Sequence, residues 1–359
     1  MTRQFVYEAL PMRVRFGANS LSTLPEELDQ IGLKRVLVLC SPEQEETGQR
    51  VAEALGDRCV GVLPEAVMHV PNEVAQRASD EAARVGADGC VAVGGGSAIG
   101  LGKAIALKHG LPIVAVPTTY AGSEMTPVWG LTTDGRKETG RDPRVLPRSV
   151  VYDPELTATL PASMSVTSGI NAIAHAVEAL YAPDATPIIS LMAEEGVKAL
   201  AAALPAIFAD PSDPEARSNA LYGSWLCGAC LGATTMSLHH KLCHALGGTL
   251  NLPHAQTHTV VLPHALAFNQ PAAPEATAAL SRALDGAADP AERLWEIAGE
   301  LNAPRSLAEL GMREEDIPRI AEEVTSRSYG NPRPVTYDDV VGILNAAWAG
   351  KPPSSNPSA

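Results

Sequence analysis

The sequence predicts two domains: an α/β domain with a parallel, dinucleotide-binding sheet over residues 1–155, and an all-α substrate and catalytic domain over 156–350, followed by a flexible tail over 351–359. Three features point there. Short runs rich in Val, Leu and Ile alternate with amphipathic segments as far as residue 117, the order that builds a parallel sheet with right-handed crossovers. One such run, Val91-Ala-Val, ends in Gly94-Gly95-Gly96-Ser97, glycines at a strand-to-helix turn. After Pro154, strands are hard to find and alanine- and leucine-rich helical segments take over.

In chain order, residues 1–35 read as a lead-in strand, a Gly-Ala-Asn turn after Phe16, and an amphipathic helix over 21–31. Strands follow at 35–40, 59–63, 88–93 and 113–116, with helices at 43–55, 72–85 and 98–108 between them. Asp134-Gly-Arg-Lys137 reads as a loop. The second domain carries helices at 163–182, 187–208, 215–233, 237–247, 273–285, 289–302, 314–327 and 337–348. Gly247-Gly248 is expected to stop the fourth of these, and the chain returns with His254 after Pro253. The Pro- and Ser-rich end after Lys351 reads as frayed.

Bulk properties exclude several function classes. A formal charge of −14 argues against nucleic acid or an anionic membrane as the partner. No apolar run is long enough to span a bilayer, and the N-terminus lacks the apolar core of a secretory signal, so the expected compartment is the cytoplasm. The six cysteines lie in apolar segments without a disulfide framework, and Cys227-Gly-Ala-Cys230 falls in a helical pattern where a redox motif does not work.

Glycines where a strand turns into a helix let backbone amides approach a phosphate, and the helix N-terminus adds partial positive charge. Ser97 is placed to cap that helix or to bond a phosphate oxygen. Thr118 and Thr119 follow the next strand at the same sheet edge, where parallel sheets bind ligands. The spacing is not GxGxxG, so the standard fingerprint is absent. The strand at 35–40 ends in Ser41-Pro42 with no acid for a ribose 2′-hydroxyl, so NADH is expected to serve, with NADPH accepted.

Residues 238–258 hold His239, His240, His244, His254 and His258, five of the nine histidines. His240 and His244 share a helix face, as do Asn171 and His175 upstream. Two helical pairs plus His254 read as parts of one polar site. His239 reads as a core or interface histidine, His258 as balanced between core and site, and His69, His109 and His264 as structural.

These residues resemble the iron-containing (group III) alcohol dehydrogenase superfamily. The matching segments are Gly94-Gly-Gly-Ser97, Pro117-Thr-Thr119, Asp153-Pro-Glu-Leu156, the run from Gly169 through Asn171 and His175 to Glu178, His240-x-x-x-His244-Ala-Leu-Gly-Gly, and Pro253-His254. The resemblance implies a dehydroquinate synthase-like architecture, an α/β nucleotide domain followed by a helical one. It also implies metal ligands at positions 171, 175, 240 and 254, but the family's aspartate is here Asn171. A neutral amide binds Fe²⁺ or Zn²⁺ more weakly than a carboxylate. The set Asn171, His175, His240 and His254 is therefore expected to be degenerate and to hold no metal. Tyr120 with the Met125–Gly130 segment is similar to the maleylacetate reductase branch. By the same resemblance Lys137 lies near the nicotinamide ribose, and the cofactor set is Ser41, Asn72, Gly94, Gly95, Gly96, Ser97, Thr118, Thr119, Ser123 and Lys137.

That branch implies reduction of an enone dicarboxylate, a step in the degradation of aromatic compounds. Hydride addition β to a ketone builds an enolate, which donors at His175, His240, His254 and Asn171 are expected to stabilise in the manner of an oxyanion hole. His244 is the expected proton donor, since a histidine titrates near neutrality. Tyr120 and Lys241 complete the catalytic set; Lys241 and the histidines are the local cations for an anionic dicarboxylate, with Arg333 a weaker candidate. A homodimer is the expected assembly. Two other readings compete: a metal-dependent dehydrogenase of small alcohols or aldehydes, and a non-enzymatic nucleotide sensor. Because no acid guards the ribose site, the KM values for NADH and NADPH are expected to differ by less than about a thousandfold, roughly 4 kcal/mol; steady-state kinetics with each cofactor checks this.

Overall fold

The computed structural model describes residues 5–7, 9–10, 12–133 and 136–357, apart from the side chains at 136 and 137. The chain divides into two units, Ala9–Leu160 and Pro161 onward, the latter including residues 5–7. The division falls just after the expected boundary at 155. Asp153 explains the displacement. Its carboxylate accepts from the amides of Asn19, Leu21 and Glu155, which ties the turn at Pro154–Thr157 to the first unit.

The first unit runs β1 (Arg13–Phe16), α1 (Leu24–Ile31), β2 (Val36–Leu39), α2 (Glu45–Leu55), β3 (Cys59–Leu63), α3 (Asn72–Arg84), β4 (Gly89–Gly94), α4 (Gly96–His109) and β5 (Ile113–Pro117), then β6 (Val128–Thr133), β7 (Arg136–Arg141) and β8 (Ser149–Tyr152). Six strands form one parallel sheet in the order β1-β8-β5-β4-β2-β3. Alternation along each strand separates two cores. Val36, Val38, Val91, Val93, Val114 and Val116 pack with α1 and α2 on one face, and Leu37, Leu39 and Cys90 with α3 and α4 on the other. β2 has β3 on one side and β4 on the other, so the chain reverses direction across the sheet at β2. The crevice outside the carboxyl ends of β2 and β4 is therefore the topological switch point.

A two-stranded antiparallel ribbon, β6–β7, replaces the expected loop around Asp134, whose turn lies outside the described residues. Its second strand, Arg-Lys-Glu-Thr-Gly-Arg, has no apolar alternation to announce it.

The second unit is helical: α5 (Ala162–Leu180), α6 (Pro187–Ala209), α7 (Pro214–Ala233), α8 (Leu238–Leu250), α9 (His254–Asn269), α10 (Pro274–Ala283), α11 (Pro290–Glu300), α12 (Ile317–Thr325) and α13 (Tyr337–Trp348). α5 is buried on nearly all sides and packs on α6, α7 and α9. Two expectations fail here. α8 does not stop at Gly247-Gly248 but continues to Leu250, where Asn251 adopts the left-handed conformation (φ 55°) and returns its amide to the Gly247 carbonyl. α9 has no counterpart among the expected helices; Pro263 sits in its middle, and burial of 13 of its 16 residues outweighs the lost hydrogen bond. The tail also differs from expectation. It has no regular structure, yet Pro357 packs where a side chain at Gly342 of α13 would stand, and Arg333 donates to the Ser355 carbonyl.

Asp153 is 2% exposed and satisfies three amides, so Asp153→Ala should lower the unfolding free energy by about 2–3 kcal/mol, measured by urea denaturation.

Candidate active site

Ser41, Asn72, Gly94–Ser97, Thr118 and Thr119 all follow the carboxyl ends of parallel strands and so share one edge of the sheet. Gly94 adopts φ 141°, and a Cβ there would lie 2.6 Å from Gln44 Oε1, so only glycine fits. A Cβ on Gly95 would meet Thr119 Oγ1 at 2.8 Å, whereas Gly96 faces open space. α4 begins at Gly96 with Gly95 as N-cap, and no side chain caps it. Ser97 thus lies inside the first turn and does not cap, which leaves the other of its two expected roles, a bond to a phosphate oxygen. The uncapped amides and the helix dipole make this turn fit for a phosphate.

Sequence reasoning missed Gln44 and Lys103. Gln44 Nε2 donates to Thr118 Oγ1 (2.6 Å), bridging from the end of β2 to the end of β5 beside Gly94. Lys103, wholly buried on α4, donates to the carbonyls of Ser123, Thr126 and Val128 (2.7, 2.8 and 2.7 Å) and to Thr126 Oγ1 (2.9 Å). Burial brings its pKa down to about 7, opposed by the buried Glu124 carboxylate. Ser123, expected at the cofactor, contributes its carbonyl to this ammonium cage. Glu124 in turn accepts from the Tyr152 hydroxyl (2.8 Å). Tyr120, expected among the catalytic groups, is fully buried. Lys137 pairs with Thr132 through the ribbon backbone, and its side chain lies outside the described residues.

In the helical unit, three helices deliver six of the nine histidines to one place. α5 supplies His175, with Asn171 one turn before it and Glu178 one turn after. α8 supplies His239, His240 and His244; α9 supplies His254 and His258. His240 is the hub, its ring 5.3 Å from His175, 5.1 Å from His239, 5.1 Å from His258 and 6.0 Å from His244. The His254 and His258 rings lie 4.2 Å apart. His244, His254 and Lys241 are exposed, while Asn171, His175, His239, His240 and His258 are buried, so the cluster runs from solvent into the core. His239 and His258 thus lie at the buried end of the cluster, His239 fully buried as a core histidine would be. Arg333, by contrast, lies over the Phe268 ring and bonds backbone carbonyls.

Burial and neighbouring imidazoles hold His175, His240 and His258 well below the ordinary histidine pKa, and burial brings His239 to about 3. These four are neutral. Glu178, fully buried, accepts from the amides of Ser237 (2.7 Å), His239 (2.8 Å) and His240 (3.4 Å) and from His240 Nδ1 (2.8 Å). Burial pushes its carboxyl upward while His239 and the amides pull it back. Every partner is a donor, so the ionised carboxylate is the form that satisfies them. An acid three residues after His175 was the available sequence signal for Glu178.

Asn171 Oδ1, His175 Nδ1, His240 Nε2 and both nitrogens of His258 are buried without a hydrogen-bond partner. A neutral imidazole keeps one N–H, so each ring offers one lone pair; with the amide oxygen of Asn171, that donor set fits a divalent cation. His239, His240 and His258 also bring one nitrogen each within 4.8 Å of one another, although His239 Nε2 is engaged by the His258 carbonyl (3.1 Å). The expectation of a metal-free site rested on the missing carboxylate at position 171. With Glu178 supplying a carboxylate directly behind His240, that ground is lost.

Among the described residues no helix is long and apolar enough to cross a membrane, and all six cysteines are free, with Cys227 and Cys230 buried. Residues 11–154 match the family model described as iron-containing alcohol dehydrogenase, and residues 165–348 match that of the Fe-containing alcohol dehydrogenase family, C-terminal. Over 350 residues the chain is 55% identical to the maleylacetate reductase of Sphingobium indicum, covering 98% of this chain and 99% of that protein. It is 56% identical to the Burkholderia cepacia maleylacetate reductase with the same coverage. The crystal structure of maleylacetate reductase from Agrobacterium tumefaciens superposes with a TM-score of 0.94 at 48% identity, covering 98% of this chain and all of that one.

Proposed function

As this chain belongs to the iron-containing alcohol dehydrogenase family, we propose that it is the family's maleylacetate-reducing kind of enzyme. It uses NAD(P)H to reduce the carbon–carbon double bond of maleylacetate, 4-oxohex-2-enedioate, giving 3-oxoadipate in the breakdown of aromatic compounds. One observation carries this reading: 55% identity to a maleylacetate reductase over nearly the whole of both chains. A non-enzymatic sensor does not need six converging histidines, and that reading is set aside.

NAD(P)H, with a phosphate at the Gly94–Gly96 turn, gives hydride from its nicotinamide to the carbon β to the ketone. The alkene π pair shifts to form the enolate carbon–carbon double bond while the carbonyl π pair moves onto the ketone oxygen; a proton then enters at the α carbon and the carbonyl re-forms, so one hydride and one proton are consumed per turnover. His244 is the proton donor, exposed to solvent for reprotonation and one turn from His240. Lys241 and the outer histidines meet the substrate carboxylates, since the protein as a whole repels anions. Buried His175 and His240 form a neutral wall that excludes water from the developing charge. A divalent cation held by Asn171, His175, His240 and His254 would act as a Lewis acid toward the ketone oxygen. We also place the enzyme in the cytoplasm as a homodimer.

A second reading, a metal-dependent dehydrogenase of small alcohols, is favoured by one observation, the partnerless buried polar atoms Asn171 Oδ1, His175 Nδ1 and His240 Nε2. Spectrophotometric assay separates the two. The purified protein is expected to oxidise NADH with maleylacetate at a kcat/KM at least about a hundredfold above that with propanal, a difference of about 2.7 kcal/mol. His244→Ala should lower kcat by about 10²–10⁴. Turnover of aldehyde alone, or an unaffected His244→Ala variant, would contradict the proposal; assay after chelation and readdition of Fe²⁺ or Zn²⁺ shows whether a cation takes part.

A further inference from the structure

We infer that Glu178 is a positioning residue: it fixes the proton of His240 on Nδ1 and so makes Nε2 a lone pair facing the cluster. Three contacts lead there in sequence. His239 Nε2 faces a carbonyl oxygen, that of His258 (3.1 Å), which can only accept, so the proton of neutral His239 sits on Nε2. Its Nδ1 is then a lone pair, 3.4 Å from His240 Nδ1. His240 Nδ1 therefore faces two acceptors, that lone pair and the Glu178 carboxylate at 2.8 Å, and carries the proton. Nε2 of the neutral ring is left unprotonated, and it is buried with no partner.

Glu178 is itself held by the amides of Ser237, His239 and His240, at the start of the helix that carries His240. One carboxylate thus places α8 and sets the polarity of the ring on it, the carboxylate–histidine arrangement that orients imidazole toward a Lewis acid or a proton donor. This reverses the role expected for His240: a lone pair at Nε2 accepts or ligates, and it does not donate to an enolate oxygen. Donation to substrate falls to Asn171 Nδ2 and to the exposed histidines instead.

The inference concerns the same cluster as the proposed reaction, but its test contains no substrate, so either can fail alone. Full-length protein labelled with ¹⁵N at histidine gives long-range ¹H–¹⁵N spectra that distinguish the two neutral tautomers, and His240→Ala identifies the His240 signals. Wild type should show His240 protonated at Nδ1. In Glu178→Gln the side-chain amide can donate to Nδ1, so the proton should move to Nε2, and the affinity for added Zn²⁺, followed by titration calorimetry, should fall about 10–100-fold. A merely structural glutamate would alter stability without moving the proton. A His240 protonated at Nε2 in wild type, or an unchanged tautomer in folded Glu178→Gln, overturns the inference. If Glu178→Gln does not fold, the wild-type spectrum decides alone.

Discussion

A carboxylate withdrawn from water loses several kcal/mol of hydration, and the loss must be offset on the spot. Glu178 meets that requirement with donors only: three amides at the first turn of α8 and the Nδ1 of His240. Hydrogen bonds to a charged group contribute about 1.5–3 kcal/mol each, and the helix N-terminus adds its partial positive charge. The balance closes only if α8 begins against α5, which is what brings His240 to His175 and Asn171. The histidine cluster follows from the anchoring of that acid. Its inner rings are neutral because they are buried and crowd one another.

The sheet unit solves a different problem with the same economy of parts. The crevice at the switch point needs bare backbone, and Gly94 and Gly95 supply it against the side chains of Gln44 and Thr119. The loop after β5 is then held from beneath by Lys103, whose ammonium gathers three carbonyls into one turn. Neither Gln44 nor Lys103 carries a motif, since both act through where the fold puts them.

That distinction marks how far the sequence could be read. Val36–Leu39, Gly89–Gly94 and Ile113–Pro117 were legible as strands because burial on both faces leaves runs of branched apolar residues. The pairs Asn171/His175 and His240/His244 were legible because helical spacing is periodic. The ribbon β6–β7 was not, because its second strand is polar throughout. α9 as a whole was not among the expected helices, although the one-turn spacing of His254 and His258 was legible; that spacing alone leaves His258 balanced between core and site. Glu178 ends a recognisable motif, but no spacing rule links it to Ser237, His239 and His240; only the fold does, by setting its carboxylate against the start of α8.

Asn171 separates this chain from the ligand pattern its family implies, and an enone suits the change. Charge on an enolate is delocalised, so it asks less of a Lewis acid than a localised alkoxide does. The central claim is that hydride goes to carbon–carbon unsaturation and spares the ketone. NADH deuterated at the nicotinamide position that gives up hydride, mixed with maleylacetate and the enzyme in ordinary water, tests it most directly by NMR of the product. The account predicts deuterium on the carbon β to an intact ketone in 3-oxoadipate, with the new α hydrogen drawn from solvent. Deuterium on the carbinol carbon of a hydroxy acid would contradict it.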